Sequence, residues 1–232
     1  MRYWLRGTLY RNGGVFKLTI RTRLIYEKRG GACFVPHVAL ATVFTRAARR
    51  AGLELRSTDG FSPHAKMSFG PELPAGVVAL WEPVDVWLKE PFADLLAAWN
   101  AQMPDGFRIK DCFFPKEDEP ALGKVCKVAD YHVWPRKEIL IEKLLIHLKS
   151  HYGADVLEAF IEEAEMEDTR NISHISFVVA APAQNGIGGW VKSLVAAEIL
   201  NGWQDLCIVR RSLGDWNEGR VKPLTGEGMG CL

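Results

Sequence analysis

Two kinds of hydrophobic periodicity alternate along this chain, and their order constrains the fold more than any other feature. Residues 16–30 are rich in β-branched and aromatic residues with partial alternation, which predicts one or two strands. Residues 37–52 place Leu40 and Phe44 on one side of a helix that ends at Gly52. The segments that follow have the patterns of two strands, a helix and a further strand.

This order, βαββαβ, is that of the split βαβ or ferredoxin-like unit. The pattern recurs more faintly in the second half, where residues 157–168 are compatible with either a helix or a strand. We therefore predict an α+β fold of two tandem ferredoxin-like units with antiparallel sheets. The predicted units span residues 1–116 and 125–213, with a linker at 117–124 and a tail at 214–232.

The cysteines and the hydropathy pattern exclude several classes of protein. The five cysteines include no CxxC pair, so we expect no metal site, no cofactor and reduced thiols in a cytoplasmic protein. No apolar run reaches the roughly 18 residues that cross a bilayer, so we expect no membrane partner. The N-terminal residues lack the apolar stretch of a secretory signal.

The charges are distributed unevenly along the chain. Residues 1–66 have a net charge of +10 and residues 67–232 a net charge of −9, although the whole chain has only +1. A basic N-terminal third favours a partner with phosphate groups or an acidic protein surface. The alternative is that the two parts neutralise each other across their interface.

A rigid loop rich in proline and glycine follows the first predicted helix. Gly60 gives its start conformational freedom, and Pro63 stiffens it. His64 and Lys66 face the same side if the backbone is extended, and Arg56 lies on the preceding strand. We predict a cationic loop that holds a phosphate or carboxylate. The alternative is a hairpin whose polar side chains are merely solvated.

The first predicted helix carries a second group of candidate residues. Arg46, Arg49 and Arg50 are spaced to lie together, so they could line a phosphate-binding face or form an ordinary solvated surface. His37 lies at the predicted helix N-terminus, where the helix dipole disfavours protonation. A neutral imidazole at this position could act as a general base, cap the helix or pack in the core.

Three motifs between residues 22 and 88 carry a resemblance to a known family. They are His37 with Arg49-Arg50-Ala51-Gly52, the loop Gly60-Phe61-Ser62-Pro63-His64-Ala65-Lys66-Met67-Ser68-Phe69, and Leu73-Pro74-Ala75-Gly76. Together they resemble a bacterial family of uncharacterised radical-SAM-linked proteins. The residues that define the motif in this chain are Gly60, Phe61, Pro63, Pro74 and Gly76.

The resemblance continues weakly at residues 167–173, where Asp168 and Arg170 match the family's Asp-x-Arg element. We expect this pair to have a structural role, holding the two units together. The chain departs from the family pattern at Ala39, Ser62 and Ala65, where the family has Asp, Asn and Pro. The missing Asp would have oriented the imidazole of His37.

The resemblance implies a cytosolic bacterial protein that works with a radical SAM enzyme. The chain itself lacks the CxxxCxxC motif that binds a radical SAM cluster. We therefore expect an accessory protein, not an enzyme, whose basic first unit binds RNA or an acidic protein partner. One alternative is a metal-independent RNA-processing enzyme of CRISPR-endonuclease-like fold that uses His37, His64 and Lys66. The other is a protein–protein adaptor that binds no nucleic acid.

Overall fold

Ten strands and five α-helices make up the described part of the chain, which comprises residues 8–12, 15–136, 139–164 and 172–226 of a computed structural model. The strands are β1 (Thr8–Asn12), β2 (Val15–Lys28), β3 (Met67–Phe69), β4 (Val78–Leu88), β5 (Phe107–Phe113), β6 (Val128–Pro135), β7 (Val156–Ala164), β8 (Ile172–Ala180), β9 (Leu206–Asn217) and β10 (Arg220–Pro223). The helices are α1 (His37–Arg50), α2 (Leu95–Asn100), α3 (Leu122–Val125), α4 (Ile141–Tyr152) and α5 (Ile187–Ala196). Short 3-10 helices span Gly30–Phe34, Gly153–Asp155 and Trp203–Asp205.

Nine of these strands form one mostly antiparallel sheet, and β1 pairs with the first part of β2. The strand order is β5-β2-β4-β3 in the first half and β9-β6-β8-β7 in the second, with β10 beside β9. The halves meet where β4 and β9 run parallel, with Val78 opposite Val209. The predicted α+β class is confirmed, but the two halves share a single sheet.

The first half of the sheet is covered by α1 and α2. The apolar side of α1 is buried at Leu40, Phe44, Ala47 and Ala48, as its periodicity predicts. The ring of Phe44 meets Tyr26 of β2 at 5.0 Å and Trp99 of α2 at 6.1 Å between centroids. Edge-to-face contacts of this kind add to the stabilisation from apolar burial.

The second half has its own core beneath α4 and α5. Leu144 and Leu148 of α4 and Trp190 of α5 are fully buried against Phe177 of β8. Successive side chains of a strand point to opposite faces of the sheet. The other face of β6, β7 and β8 therefore carries different side chains, many of them polar or aromatic.

Three predicted boundaries differ from the structure. Residues 214–223 complete β9 and form β10, so the predicted tail begins within the sheet. The predicted linker is held to the first half, because Arg21 and Arg23 bind Glu119. The predicted strand at Leu53–Thr58 is reduced to isolated bridges. The segment at 157–168 was compatible with either a helix or a strand, and its described residues 157–164 form a strand.

None of the described helices is long and apolar enough to span a membrane. Among the described cysteines, Cys33, Cys126 and Cys207 have free thiols, whereas Cys112 is disulfide-bonded. The prediction that every thiol is reduced is therefore wrong at Cys112. A disulfide requires two Cα atoms within about 7 Å, and this proximity cannot be judged from sequence spacing.

Candidate functional site

The predicted cationic loop is the tip of a β-hairpin that extends the edge of the sheet. Ser57 bridges to Ala65, and the amide of Thr58 donates to the carbonyl of His64 at 2.7 Å. Gly60 turns the chain with φ of +124°, which side chains other than glycine rarely adopt. We call residues 56–66 the tip hairpin.

The side chain of Phe61 is fully exposed at the end of the tip hairpin. The neighbouring residues Gly60, Ser62 and Pro63 are also exposed, so the aromatic ring projects from a narrow, stiff turn. A large apolar ring that is held in water by a constrained loop is available for contact with a flat or apolar partner group.

Two cations lie at the stem of the tip hairpin. The Nζ atom of Lys66 lies 4.6 Å from the ring centroid of Trp87 on β4. Arg56 donates to Thr19 Oγ1 at 3.3 Å and lies 3.8 Å from Asp59. These contacts hold both cations on one side of the stem.

His64 is involved in the local hydrogen bonding of the tip hairpin. Its backbone amide donates to Thr58 Oγ1 at 3.2 Å. Its Nδ1 lies 3.2 Å from the same hydroxyl and 3.3 Å from the carbonyl oxygen of Ser62. The imidazole is exposed, so His64 helps to shape the turn while its ring remains accessible.

The arginines of α1 lie on the other side of the sheet. Trp87 lies between the buried residues Val86 and Leu88, which face α1, so Trp87 and Lys66 are on the opposite face. Arg46, Arg49 and Arg50 occupy the outer side of α1, where Arg50 donates to the carbonyl of Gln102 at 2.5 Å. The six predicted cationic residues therefore form two sets on opposite faces of the sheet.

His37 begins α1 and packs against Phe69, with ring centroids 5.8 Å apart. Its Nδ1 is buried and has no hydrogen-bond partner among the described residues. Burial lowers the pKa of His37, which keeps the imidazole neutral. His37 lies on the helix-covered face, whereas His64 is held within the exposed hairpin, so the structure does not bring these histidines together.

Part of the positive charge of the first 66 residues is neutralised by acids from later in the chain. Arg21 and Arg23 both bind the buried carboxylate of Asp85, with Nε atoms at 3.0 Å and 2.7 Å. By contrast, Arg46 and Arg49 make no ion pair within the described part of the chain. Internal neutralisation is thus observed for Arg21 and Arg23, whereas a partner for the other cations stays a prediction.

The Leu73–Gly76 motif has a structural role. Gly76 adopts φ of +89°, and its amide donates to the carbonyl of Cys33 at 2.8 Å. The amide of Val77 lies 3.4 Å from the carbonyl of Pro74, which closes the turn before β4. The remaining motif residues, Asp168 and Arg170, lie outside the described residues.

Sequence reasoning missed a cluster in the second half. His132 of β6, Glu162 of β7 and His174 of β8 bring their ligand atoms within 4.8 Å of one another. The three strands that carry them mix apolar with polar residues, and these polar positions were the available signal. The sequence left residues 157–168 undecided between a helix and a strand, so it did not place Glu162 on a strand beside His174.

Comparisons with known proteins support a family assignment and no more. A crystal structure titled "Crystal Structure of an Unknown Protein from Galdieria sulphuraria" has 12% sequence identity and a TM-score of 0.26, over 84% of this chain and 98% of the other. No curated protein is similar enough to this chain to count as a match. A family described as "Uncharacterized protein conserved in bacteria (DUF2344)" matches residues 21–177, which include the tip hairpin and the histidine cluster. The chain therefore belongs to this bacterial family of uncharacterized proteins.

Proposed function

We propose that the chain binds single-stranded RNA through the tip hairpin and serves as an accessory protein to a radical SAM enzyme. The observation that carries this proposal is the fully exposed ring of Phe61 beyond the cations Arg56 and Lys66. An aromatic platform beside fixed positive charge is the combination that binds single strands elsewhere.

The energetics of stacking favour this assignment. A base stacked on an aromatic side chain contributes about 1–3 kcal/mol to the binding free energy, whichever base it is. The phosphates on either side of that base would approach the hairpin stem, where Lys66 and Arg56 can replace counterions. The exposed ring of His64 adds a further donor to the same surface.

The cations of the stem are held in place before any ligand arrives. Lys66 lies above Trp87, and Arg56 is held by Thr19 and Asp59. Ordering a free side chain on binding costs about 0.5–1.5 kcal/mol, so this arrangement reduces the loss of entropy. The contact with Asp59 is long enough at 3.8 Å for a phosphate to compete with it.

The outer side of α1 favours a protein partner instead. Val38, Thr42, Arg46 and Arg49 follow one another at helical spacing, and all four are exposed. A surface that combines an apolar residue with unpaired arginines fits an acidic protein surface. The partner implied by the motif resemblance is the radical SAM protein, and we assign α1 to it.

RNA cleavage receives less support from the geometry. A general base must lie within hydrogen-bonding reach of the proton that it abstracts. His37 packs against Phe69 at the start of α1, and His64 contacts Thr58 and Ser62, so the two imidazoles cannot share one reaction centre. We therefore prefer binding to catalysis.

We also infer that each half of the chain is a ferredoxin-like unit. The orders β5-β2-β4-β3 and β9-β6-β8-β7 both correspond to the split βαβ arrangement, with α1 and α2 or α4 and α5 in the crossovers. Such sheets bind single-stranded RNA in other proteins.

The test is fluorescence anisotropy with a labelled oligouridylate over a series of salt concentrations. Phe61→Ala should weaken binding by about 5- to 150-fold, which corresponds to the loss of one stacked base. Lys66→Ala should reduce the slope of log affinity against log salt by about one unit. The Arg46→Ala/Arg49→Ala double variant is the matched control, because it removes two exposed cations from the opposite face.

Two results would overturn the proposal. If the wild-type protein does not bind oligouridylate even at low salt, the chain is not an RNA-binding protein. If the helix double variant loses affinity and Phe61→Ala does not, the RNA surface is α1 and the hairpin assignment is wrong.

A further inference from the structure

Three adjacent strands place two histidines and one glutamate on the same face of the second half. Glu162 of β7 is directly opposite His174 of β8, and His132 of β6 is directly opposite Ser176. Tyr131, beside His132 in sequence, is buried in the core, so these polar side chains lie on the face away from α4 and α5. Their ligand atoms all lie within 4.8 Å of one another.

His174 lacks the hydrogen bonds that a buried imidazole requires. Its side chain is only 6% exposed, yet neither Nδ1 nor Nε2 makes a hydrogen bond within the described part of the chain. Its Nε2 lies 2.9 Å from Glu162 Oε2 without the geometry of a hydrogen bond. A buried polar atom without a partner is costly, so the native protein should provide one.

The ring of His174 is held rigidly between two others. Trp134 stacks on it at 4.6 Å with an interplanar angle of 19°, and His132 lies 4.6 Å away. Packing that fixes the orientation of an imidazole also reduces the entropy lost on coordination.

His132 directs the lone pair of Nε2 toward positive and polar groups. Arg211 Nη1 lies 2.8 Å from this atom and Ser176 Oγ lies 3.2 Å from it. Because an arginine only donates hydrogen bonds, Nε2 of His132 must be the acceptor. The guanidinium thus occupies the position where a metal cation would be held, and half of its side chain is exposed, so it can move away.

The atoms are close enough together to coordinate one ion. Three atoms that lie within 4.8 Å of one another have a common point about 2.8 Å from each, whereas bonds from zinc to nitrogen or oxygen are about 2.0–2.2 Å. Rotamer adjustments of under about 1 Å per ligand therefore close the site. Glu162 is partly exposed, so its carboxylate is free to make this movement.

We propose that His132, Glu162 and His174 bind a divalent first-row transition metal, such as Zn²⁺, on the face of the second half that lies away from α4 and α5. Two imidazoles and one carboxylate are the ligand set of open, catalytic-type zinc sites and of the iron(II) facial triad. Ser176 Oγ, which lies 3.2 Å from His132 Nε2, is next to this site. The site is independent of the tip hairpin.

The experiment is isothermal titration of the full chain with Zn²⁺ alone, after treatment with a chelator. The wild-type protein should bind one Zn²⁺ at this site, and Co²⁺ should give the visible spectrum of a low-coordinate site. His132→Gln and Glu162→Gln should each reduce the affinity at least about 100-fold, which exceeds the effect of removing an outer-sphere partner. Arg211→Gln should leave the affinity unchanged or raise it, because it removes the competing cation.

The control addresses the other pair of histidines that could bind zinc. His147 and His151 lie one turn apart on α4, with ring centroids 6.4 Å apart. The His147→Gln/His151→Gln variant should therefore retain the tight site. If this variant loses the zinc and Glu162→Gln keeps it, or if the wild-type chain binds no zinc, the proposal is wrong. Circular dichroism of each variant shows that a lost affinity does not reflect unfolding.

Discussion

Arg210 of β9 and Glu82 of β4 form a bidentate ion pair at the junction of the two halves. Nε and Nη2 of Arg210 lie 2.7 Å and 2.6 Å from the two carboxylate oxygens. Arg210 also donates to the carbonyls of Pro71 and Glu72, so it binds the turn that precedes β4 as well. Both charged side chains are almost completely buried.

Removing one member of this pair should destabilise the whole chain. Glu82→Gln keeps the shape of the side chain but leaves Arg210 as a buried charge without its counterion. We expect the free energy of unfolding to fall by about 3–5 kcal/mol, as measured by urea denaturation. The control is Glu54→Gln, which breaks the exposed pair of Glu54 and Lys89 and should cost less than about 1 kcal/mol. Equal losses in the two variants would show that the buried pair contributes little.

A glycine before β5 should resist substitution for steric reasons. Gly106 adopts φ of +84°, and a Cβ there would lie 2.4 Å from the carbonyl oxygen of Arg29 and 2.8 Å from Ala32 Cβ. Gly52 has a similar φ of +77° but open space around the Cβ position. Gly52→Ala should therefore cost about 1–2 kcal/mol from backbone strain alone. Gly106→Ala should lower the free energy of unfolding at least twice as much, as measured by thermal denaturation. Similar losses in the two variants would contradict this reasoning.

The buried histidine at the start of α1 should make stability depend on pH. The pKa of His37 is lowered, mainly by burial; Arg210 and Lys28 add to the effect, while Glu72 and Glu82 oppose it. Because the unfolded chain then binds a proton more readily, stability is lost as the pH falls through about 6.5.

The measurement is NMR titration of the His37 ring, which should give a pKa below the usual value. His37→Gln should lose less stability than wild type over the same acid range. A normal pKa for His37, or parallel stability curves, would show that the imidazole is solvated.

A buried lysine should make the stability of the chain depend on pH in the alkaline range. Lys28 is almost fully buried and donates to the carbonyl of Val35 at 3.2 Å, and burial lowers its pKa. The unfolded chain binds this proton more tightly, so the stability of wild type should rise relative to Lys28→Met as the pH rises toward about 10.5. Denaturation of both proteins at several alkaline pH values tests this. A constant difference between them would mean that Lys28 titrates normally.

The helices and strands were largely predictable because their signal is local. The spacing of Leu40, Phe44 and Ala47 predicted α1, and all three are buried. The boundaries were less predictable: the pairing of Trp216 with Val221 extends β9 beyond the predicted end of the second unit. Such pairing depends on a partner strand and leaves little trace in composition.

The candidate residues of the first half were recognisable from the sequence, but their arrangement was not. The loop from Gly60 to Lys66 stood out by its prolines, glycines and charges, and it forms an exposed hairpin. The arginines of α1 belong to the same basic first third of the chain, yet they lie on the other face of the sheet. Which face a helix covers is decided by packing across the sheet, and a charge pattern does not record it.

By itself, the sequence determined the periodicity of each segment, the stiff loop and the excess of positive charge in the first third. Only the tertiary structure decided that β4 and β9 join two halves into one sheet, that Glu82 meets Arg210, and that His132, Glu162 and His174 converge. The physical reason is that periodicity reflects contacts with near neighbours in sequence. Strand register and the desolvation of distant charges depend instead on contacts between residues far apart in sequence, such as Glu82 and Arg210, which are 128 positions apart.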